Sequence, residues 1–466
     1  MVIEQLSPFY HKLEKLMRQA NLNLAVAELN ERLKKNPSED LAKIYLAKCY
    51  FKMKEYGKFL ENLKSLNWEK LKDDEIGLIL EMTNWQLVSS PHYFNGPPVF
   101  SADGKYLAYA SARRDTDGDG RITIHDRGGI YIYDIKNHSE TYLVSDEYYN
   151  SNPVFSPDGH YLLYFSSRQD DNNDKKIDDT ERPSLYLADL SNYQEQLLFG
   201  PEMRIKHPRF SQDGQKIIFV AWLPKEDHSG IYSYDIKTKK LQSLVTPYYE
   251  TAFPVLSPDG TKLIYTSWRR DTNKDGVIDI RDNSGLFMKD LISGRETEIV
   301  SDDYNNEFPQ FSPNGEMILY LSRRRDTNKD GVINNLDNSG IYIYHLLKRK
   351  EELIVEDDFF NKFPSFSFDN KEIVFLSNWR VKRISEHESK DYFETKGIYL
   401  VDIRSKKITQ VISDKYYGHR APVLSPKEPL VSYLSWRPDT GRGIYLANYR
   451  RLPEPDELRK IIESFV

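Results

Sequence analysis

The stretch that decides the fold is residues 153–167, P-V-F-S-P-D-G-H-Y-L-L-Y-F-S-S. A short run ending in Phe155 stops at Ser156-Pro157-Asp158-Gly159. In such a turn proline presets φ, aspartate bonds the local backbone and glycine accepts a positive φ. An apolar run rich in β-forming residues follows, so the stretch reads as two antiparallel strands joined tightly. The same F-S-x-D-G pattern, or a relative of it, recurs at Phe100–Gly104, Phe210–Gly214, Leu256–Gly260, Phe311–Gly315, Phe366–Asn370 and, degenerate, Leu424–Pro426. A third strand begins at Ile130, Leu185, Ile231, Leu286, Ile341, Ile398 and Ile444. A fourth closes each unit, as in Tyr142–Ser145 and Glu298–Ser301. The strands of a unit are lettered a to d from the axis outward.

Units of 46 to 58 residues repeated along a chain predict a β-propeller. Seven units predict seven blades. The last unit has only three strands, and Asn84–Ser90 supplies the missing d strand, so an N-terminal strand closes the ring and leaves no open edge. The expected fold is mainly β: a seven-bladed propeller over 84–450, an α-helical domain over 1–82, and a C-terminal tail over 451–466 with a short helix at Pro455–Phe465. In the first 82 residues, Leu22, Val26, Leu29 and Leu33 recur at helical spacing. Ser38 is the expected N-cap of a helix carrying Leu41, Ile44, Tyr45 and Cys49, and a further helix follows Tyr56.

The chain has 466 residues, 39% hydrophobic and 29% charged, with a net charge of −6. The balance argues against a nucleic-acid binder, which shows a basic domain. Cys49 stands alone, so no intrachain disulfide forms. No apolar run reaches membrane-span length. The N-terminus lacks the apolar core of a signal peptide and reads as cytoplasmic.

Four insertions carry the chemistry: Asp115–Asp126 (DTDGDGRITIHD), Asp170–Glu181 (DDNNDKKIDDTE), Asp271–Asp282 (DTNKDGVIDIRD) and Asp326–Asp337 (DTNKDGVINNLD). Acid or amide oxygens at positions 1, 3, 5 and 12, with a carbonyl at 7, are the ligand spacing of a twelve-residue calcium loop. The expected ligands are Asp115, Asp117, Asp119, Arg121 and Asp126; Asp170, Asn172, Asp174, Lys176 and Glu181; Asp271, Asn273, Asp275, Val277 and Asp282; and Asp326, Asn328, Asp330, Val332 and Asp337. Arg121, Lys176, Val277 and Val332 contribute only their carbonyls. The expectation is three to four Ca²⁺ ions. Lys175 stands where the second loop needs glycine for its turn, which ranks that site last. Calcium sites of this kind fill in the periplasm or outside the cell, against the cytoplasmic reading of the N-terminus.

All four loops lie between strands b and c. Strand alternation places them on the same face as the d–a connections. Those connections repeat an aromatic-polar pattern, giving the expected partner contacts Tyr93, Asn95, Tyr149, Asn150, Tyr249, Tyr304, Asn306, Phe360, Asn361, Tyr417 and His419. Arg113-Arg114, Arg168, Arg269-Arg270 and Arg324-Arg325 precede the loops, either as an electropositive ring or as partners of nearby carboxylates. There is no Gly-x-Ser-x-Gly elbow and no phosphate-cradling glycine loop. The resulting expectation is a protein without enzymatic activity that binds a protein or peptide partner. A carbohydrate-binding or polysaccharide-lyase-like propeller and a structural subunit are the alternatives.

The unit x-x-P-x-F-S-P-D-G followed by I-Y-hydrophobic-x-D resembles the TolB-type repeat, also called WD40-like or PD40. It matches as Pro153–Gly159 with Ile130–Ile135 and as Pro254–Gly260 with Ile231–Ile236. The resemblance implies a propeller and, in that family, partner binding. The chain departs from TolB in blade count, in its helical start and in lacking a visible export signal. Residues 41–63, LAKIYLAKCYFKMKEYGKFLENL, resemble a tetratricopeptide repeat.

Overall fold

The computed structural model describes residues 8–18, 21–53, 55–67, 70–71, 75, 79, 86–172, 177, 180–224, 226–331, 333–334, 336–378, 397–412, 418–437 and 441–449. The chain divides into two compact units: one, Leu87–Tyr449, holds the sheets, and the other holds the N-terminal helices. The tail helix expected at 455–465 lies outside the described residues.

The helical unit contains Pro8–Arg18, Leu22–Lys35, Asp40–Lys52 and Tyr56–Lys64. Leu29, Ala42, Ala47, Cys49 and Phe59 are fully buried between these helices. The Ser38 cap is corrected: Glu39 occupies the N-cap, and the Ser38 hydroxyl bonds Asn36 at 3.1 Å. Glu39 is fixed there by Arg32 at 2.8 Å and by the Tyr10 hydroxyl at 2.6 Å.

Among the described residues the sheet unit contains five four-stranded antiparallel sheets and one nine-stranded sheet. Four-stranded sheets start at the inner strands Tyr149–Phe155, Arg204–Phe210, Thr251–Leu256, Asn305–Phe311 and Asn361–Phe366. In the nine-stranded sheet, Gln86–Ser89 pairs with Gly441–Asn448, so the first strand of the unit joins the last. Asn84 and Trp85 of the expected closing strand lie outside the described residues. Successive inner strands touch, and Gly418–Leu424 returns to Val99–Phe100. The result is a closed β-propeller, and the chain is mainly β.

The core lies between sheets and is built chiefly from strands b. Leu163, Ile217, Phe219, Ile264, Tyr320, Ile373 and Phe375 have no solvent contact. Each such side chain contributes about 1.5–3 kcal/mol. The a–b turns repeat one device. Ser156 Oγ donates to Asp158 and accepts from Tyr161 N at 2.9 Å, while Gly159 takes φ +73°. In the equivalent turn, the Ser257 hydroxyl and the Thr261 amide hold Asp259 down at about 2.

The inner strands carry a feature that the periodicity hides. Six of them, all but Val99–Phe100, have a register break across an internal proline and the residue before it. The residue before that proline sits at positive φ: Asn152, His207, Phe253, Phe308, Phe363 and Ala421, between +46° and +56°. Left-handed backbone is uncommon for bulky residues, and a following proline disfavours helical geometry further.

Candidate metal loops and binding face

The first loop connects strand Tyr106–Ala112 to strand Gly129–Asp134. Position 1, Asp115, accepts from Gly118 N at 2.6 Å and Gly120 N at 2.8 Å. Those bonds need a reversal that Gly118 and Gly120 make at φ +82° and +85°. Asp117 and Asp119 each accept one amide two residues on, at 3.0 and 2.8 Å. The last residue, Asp126, is buried and works as a clamp. Its Oδ1 accepts from the Thr116 hydroxyl and from the Thr116 and Asp117 amides, and its Oδ2 accepts from Thr123 N at 2.7 Å. These donors hold the Asp126 pKa below the usual carboxylate range against the opposing effect of burial. Ligand oxygens of Asp115, Asp117 and Asp126 lie within 4.8 Å of one another. Three carboxylates converging on one point, with a spare lone pair on each, suit a hard divalent cation.

The third and fourth loops repeat this construction. Asp271 accepts from Gly276 N at 2.9 Å, and Asp326 accepts from Gly331 N at 2.8 Å. Asp282 and Asp337 are buried clamps that bind the amides of Thr272, Asn273 and Asp279, and of Thr327, Asn328 and Asn334. Asn273 Oδ1 and Asn328 Oδ1 each accept the amide of the position-5 aspartate, Asp275 or Asp330, at 2.9 Å. Val277 is exposed in its loop, while Val332 lies outside the described residues.

The second loop differs at its root. Asp171 stands where the others have threonine, beside the buried clamp Glu181. The Asp171 carboxyl, and then burial, raise the pKa of Glu181. Asp171 is engaged by Arg182 at 2.6 Å. Asn172 N donates to Glu181 at 3.3 Å, and the Asp170 backbone begins the loop. Asp174 and Lys176 lie outside the described residues.

The loops and the d–a connections meet as expected. Tyr149 donates its hydroxyl to His125 O at 3.0 Å, and Asn283 Nδ2 donates to Asp303 O at 3.2 Å. The polar members of the expected partner face need correction, because they point inward. Asn95, Asn150, Asn306, Asn361 and His419 are buried, from 0% to 7% exposed. Asn306 Nδ2 donates to the carbonyls of Ser284, Ser301 and Tyr304, each at 2.9 Å. Asn150 and Asn361 bond the equivalent carbonyls, and Asn95 bonds Ser90 O and Arg442 O. These amides satisfy backbone acceptors where two connections cross and cannot touch a partner. Tyr249 and Tyr304 are 38% exposed, Tyr93, Tyr149 and Phe360 are partly buried, and Tyr417 lies outside the described residues.

Among the described residues the arginines form no free positive ring. Arg113, Arg168, Arg269 and Arg324 each pair with a d-strand glutamate at 2.7–2.8 Å. Each also lies over a c-strand ring (Tyr131, Tyr186, Phe287 or Tyr342) at 3.4–4.1 Å. Tyr109, Tyr265 and Tyr320 donate their hydroxyls to the same glutamates. Each of these arginines sits two residues before the first acid of a loop, so the network fixes the root from which the loop springs. Arg114, Arg270 and Arg325 pair with Asp146, Asp303 and Asp358 at 2.7–2.8 Å.

No protein-family profile matches the chain. Over 160 residues, 34% of this chain, it is 29% identical to dipeptidyl-peptidase 5 of Porphyromonas gingivalis. That match spans about 20% of the relative's length. An oligogalacturonate lyase solved in complex with manganese superimposes with a TM-score of 0.54 and 14% identity, over 79% of this chain and 94% of that one. The β-propeller domain of the trilobed protease from Pyrococcus furiosus gives 0.54 and 13%, over 79% and 98%. These likenesses show the propeller fold. They also correct the expectation of a protein without enzymatic activity, since the curated relative is a peptidase and the solved neighbours are a lyase and part of a protease. A missing serine elbow excludes only one chemistry. A propeller can carry reacting groups on its own strands and loops.

Proposed function

We propose that this protein is a seven-bladed, calcium-binding propeller that holds a protein or peptide partner on the face formed by the b–c loops and d–a connections. The observation that carries the cation is the convergence of Asp115, Asp117 and Asp126 within 4.8 Å. The same scaffold recurs in the third and fourth loops, with carbonyls of Arg121, Val277 and Val332 at position 7 as the further ligands. Calcium is the reading because the donors are all hard oxygens and the loops are open enough for a high coordination number. A peptide partner fits the peptidase relatives, and the exposed rims of Tyr249 and Tyr304 supply amphipathic contacts.

The clamps of Asp126, Asp282 and Asp337 preform the loops, so the ion stiffens a shape that already exists. The trypsin sites at Arg121 and Arg281 test this, because both lie on exposed loop backbone. Calcium is expected to slow cleavage there at least tenfold relative to chelator. Equal cleavage in both conditions contradicts the reading.

A polysaccharide ligand with lyase chemistry is the second reading. It is favoured by the lyase neighbour that aligns over nearly its whole chain.

A further inference from the structure

The left-handed residues of three consecutive inner strands are aromatic, and their rings meet. His207 lies 4.6 Å from Phe253, and Phe253 lies 4.2 Å from Phe308, centroid to centroid. Phe363 takes the same position in the next inner strand. These phenylalanines take no part in the described hydrophobic layers between sheets. Phe308 and Phe363 remain 37% and 45% exposed. Other apolar side chains of this unit are exposed too, Ile292 and Leu347 among them, but those stand singly in turns, whereas Phe253 and Phe308 meet side by side on the innermost strands.

Two cations, Arg209 and Lys206, lie close enough to His207 to act on its charge. Arg209 follows His207 by two residues, and no carboxylate acts on its guanidinium among the described residues. Arg209 is exposed on its inner strand, and the protein around it lowers its pKa from the ordinary arginine value by desolvation. Lys206 faces the Trp222 ring at 5.0 Å. Burial first, and then Arg209 and Lys206, push the His207 pKa down to about 4, so His207 is neutral at pH 7. On the c strand of the last sheet, burial and then the inner-strand Arg420 bring Arg442 down to about 10. The loop-root arginines behave differently, since every one of them is paired with a glutamate.

We propose that the axial channel binds the C-terminal end of a peptide, with its last apolar side chain against Phe253 and Phe308 and its carboxylate on Arg209. The inner strands close on themselves, so a ligand enters from an end of the channel, which a chain terminus can do without threading. A terminal residue also offers an apolar group and an anion side by side, which matches the rings and the unpaired guanidinium. Arginine suits this task because its fork can hold both oxygens of a carboxylate.

The test uses the full chain and two pools of synthetic pentapeptides, randomised at the last two positions, one with free carboxylates and one amidated. Peptides ending in apolar or aromatic residues are expected to be retained from the free-acid pool at least tenfold over the amidated pool. Arg209→Gln and Phe308→Ala are each expected to abolish that selectivity, and Arg209→Lys to retain part of it. Circular dichroism melts establish that each variant is folded. Equal retention from both pools, or from neither, overturns the proposal. So does unchanged selectivity in folded Arg209→Gln. Selective retention of oligogalacturonate in place of peptide overturns it in favour of an acidic-sugar site.

Discussion

Arg269 lies with its guanidinium 3.6 Å from the centre of the Phe287 ring and 2.7 Å from the Glu296 carboxylate. Three strands of one sheet are tied by this contact, because Tyr265 donates to the same glutamate. The tie sits two residues before Asp271, the first acid of the third loop. Burial alone would raise the Glu296 pKa, but bonds from Arg269 and Tyr265 bring it below the usual carboxylate range. The loop therefore grows from a fixed point.

Arg269→Ala is expected to destabilise the protein by about 1–2 kcal/mol, through the lost stacking and the lost charge-assisted bond. Urea denaturation measures it. Cation affinity of the third loop is expected to fall in the same variant, while Arg269→Lys keeps the charge and loses the stacking.

Asn306→Ala removes the amide whose two N–H groups are shared among three backbone carbonyls, buried or partly buried. A cost of about 1–3 kcal/mol is expected, since orphaned buried acceptors pay desolvation without return. Equilibrium unfolding reads the change. Wild-type stability in this variant would restore Asn306 to the exposed face.

His207 carries a pH dependence. Its folded pKa of about 4 lies below the ordinary value of 6.5. Between those values the unfolded chain binds more protons, so stability rises with pH through this window and is lost as pH falls from about 6.5 towards 4. Melting of His207→Phe from pH 7 to pH 4 is expected to show a shallower decline than wild type.

Asp171→Thr gives the second loop the root residue of the other three. Removing that carboxyl takes away the main cause of the raised Glu181 pKa. Cation binding at this loop is expected to tighten, which a site-resolved titration by NMR detects.

The four-strand unit was legible in the sequence because Ser-Pro-Asp-Gly turns and apolar b strands each impose a local geometry. The loops were legible because ligand spacing is written in consecutive residues. Orientation was less accessible. Asn150, Asn306 and Asn361 follow aromatic residues in exposed-looking connections, and only the crossing of two connections turns them inward. The pairing of Arg113 with Glu140 spans strands b and d, so spacing alone could not decide between a free ring and ion pairs. The inner aromatic wall went unread for a simple reason: Phe253, Phe308 and Phe363 look like ordinary strand residues. The signal available was their place immediately before Pro254, Pro309 and Pro364 in successive units.

Cation binding by the loops is the centre of the account, and isothermal titration of calcium into chelator-stripped protein tests it most directly. At least three sites are expected, with one lost in the Asp115→Asn, Asp117→Asn double variant and the others unchanged. No heat of binding in wild type, or an unchanged number of sites in the folded double variant, would contradict it.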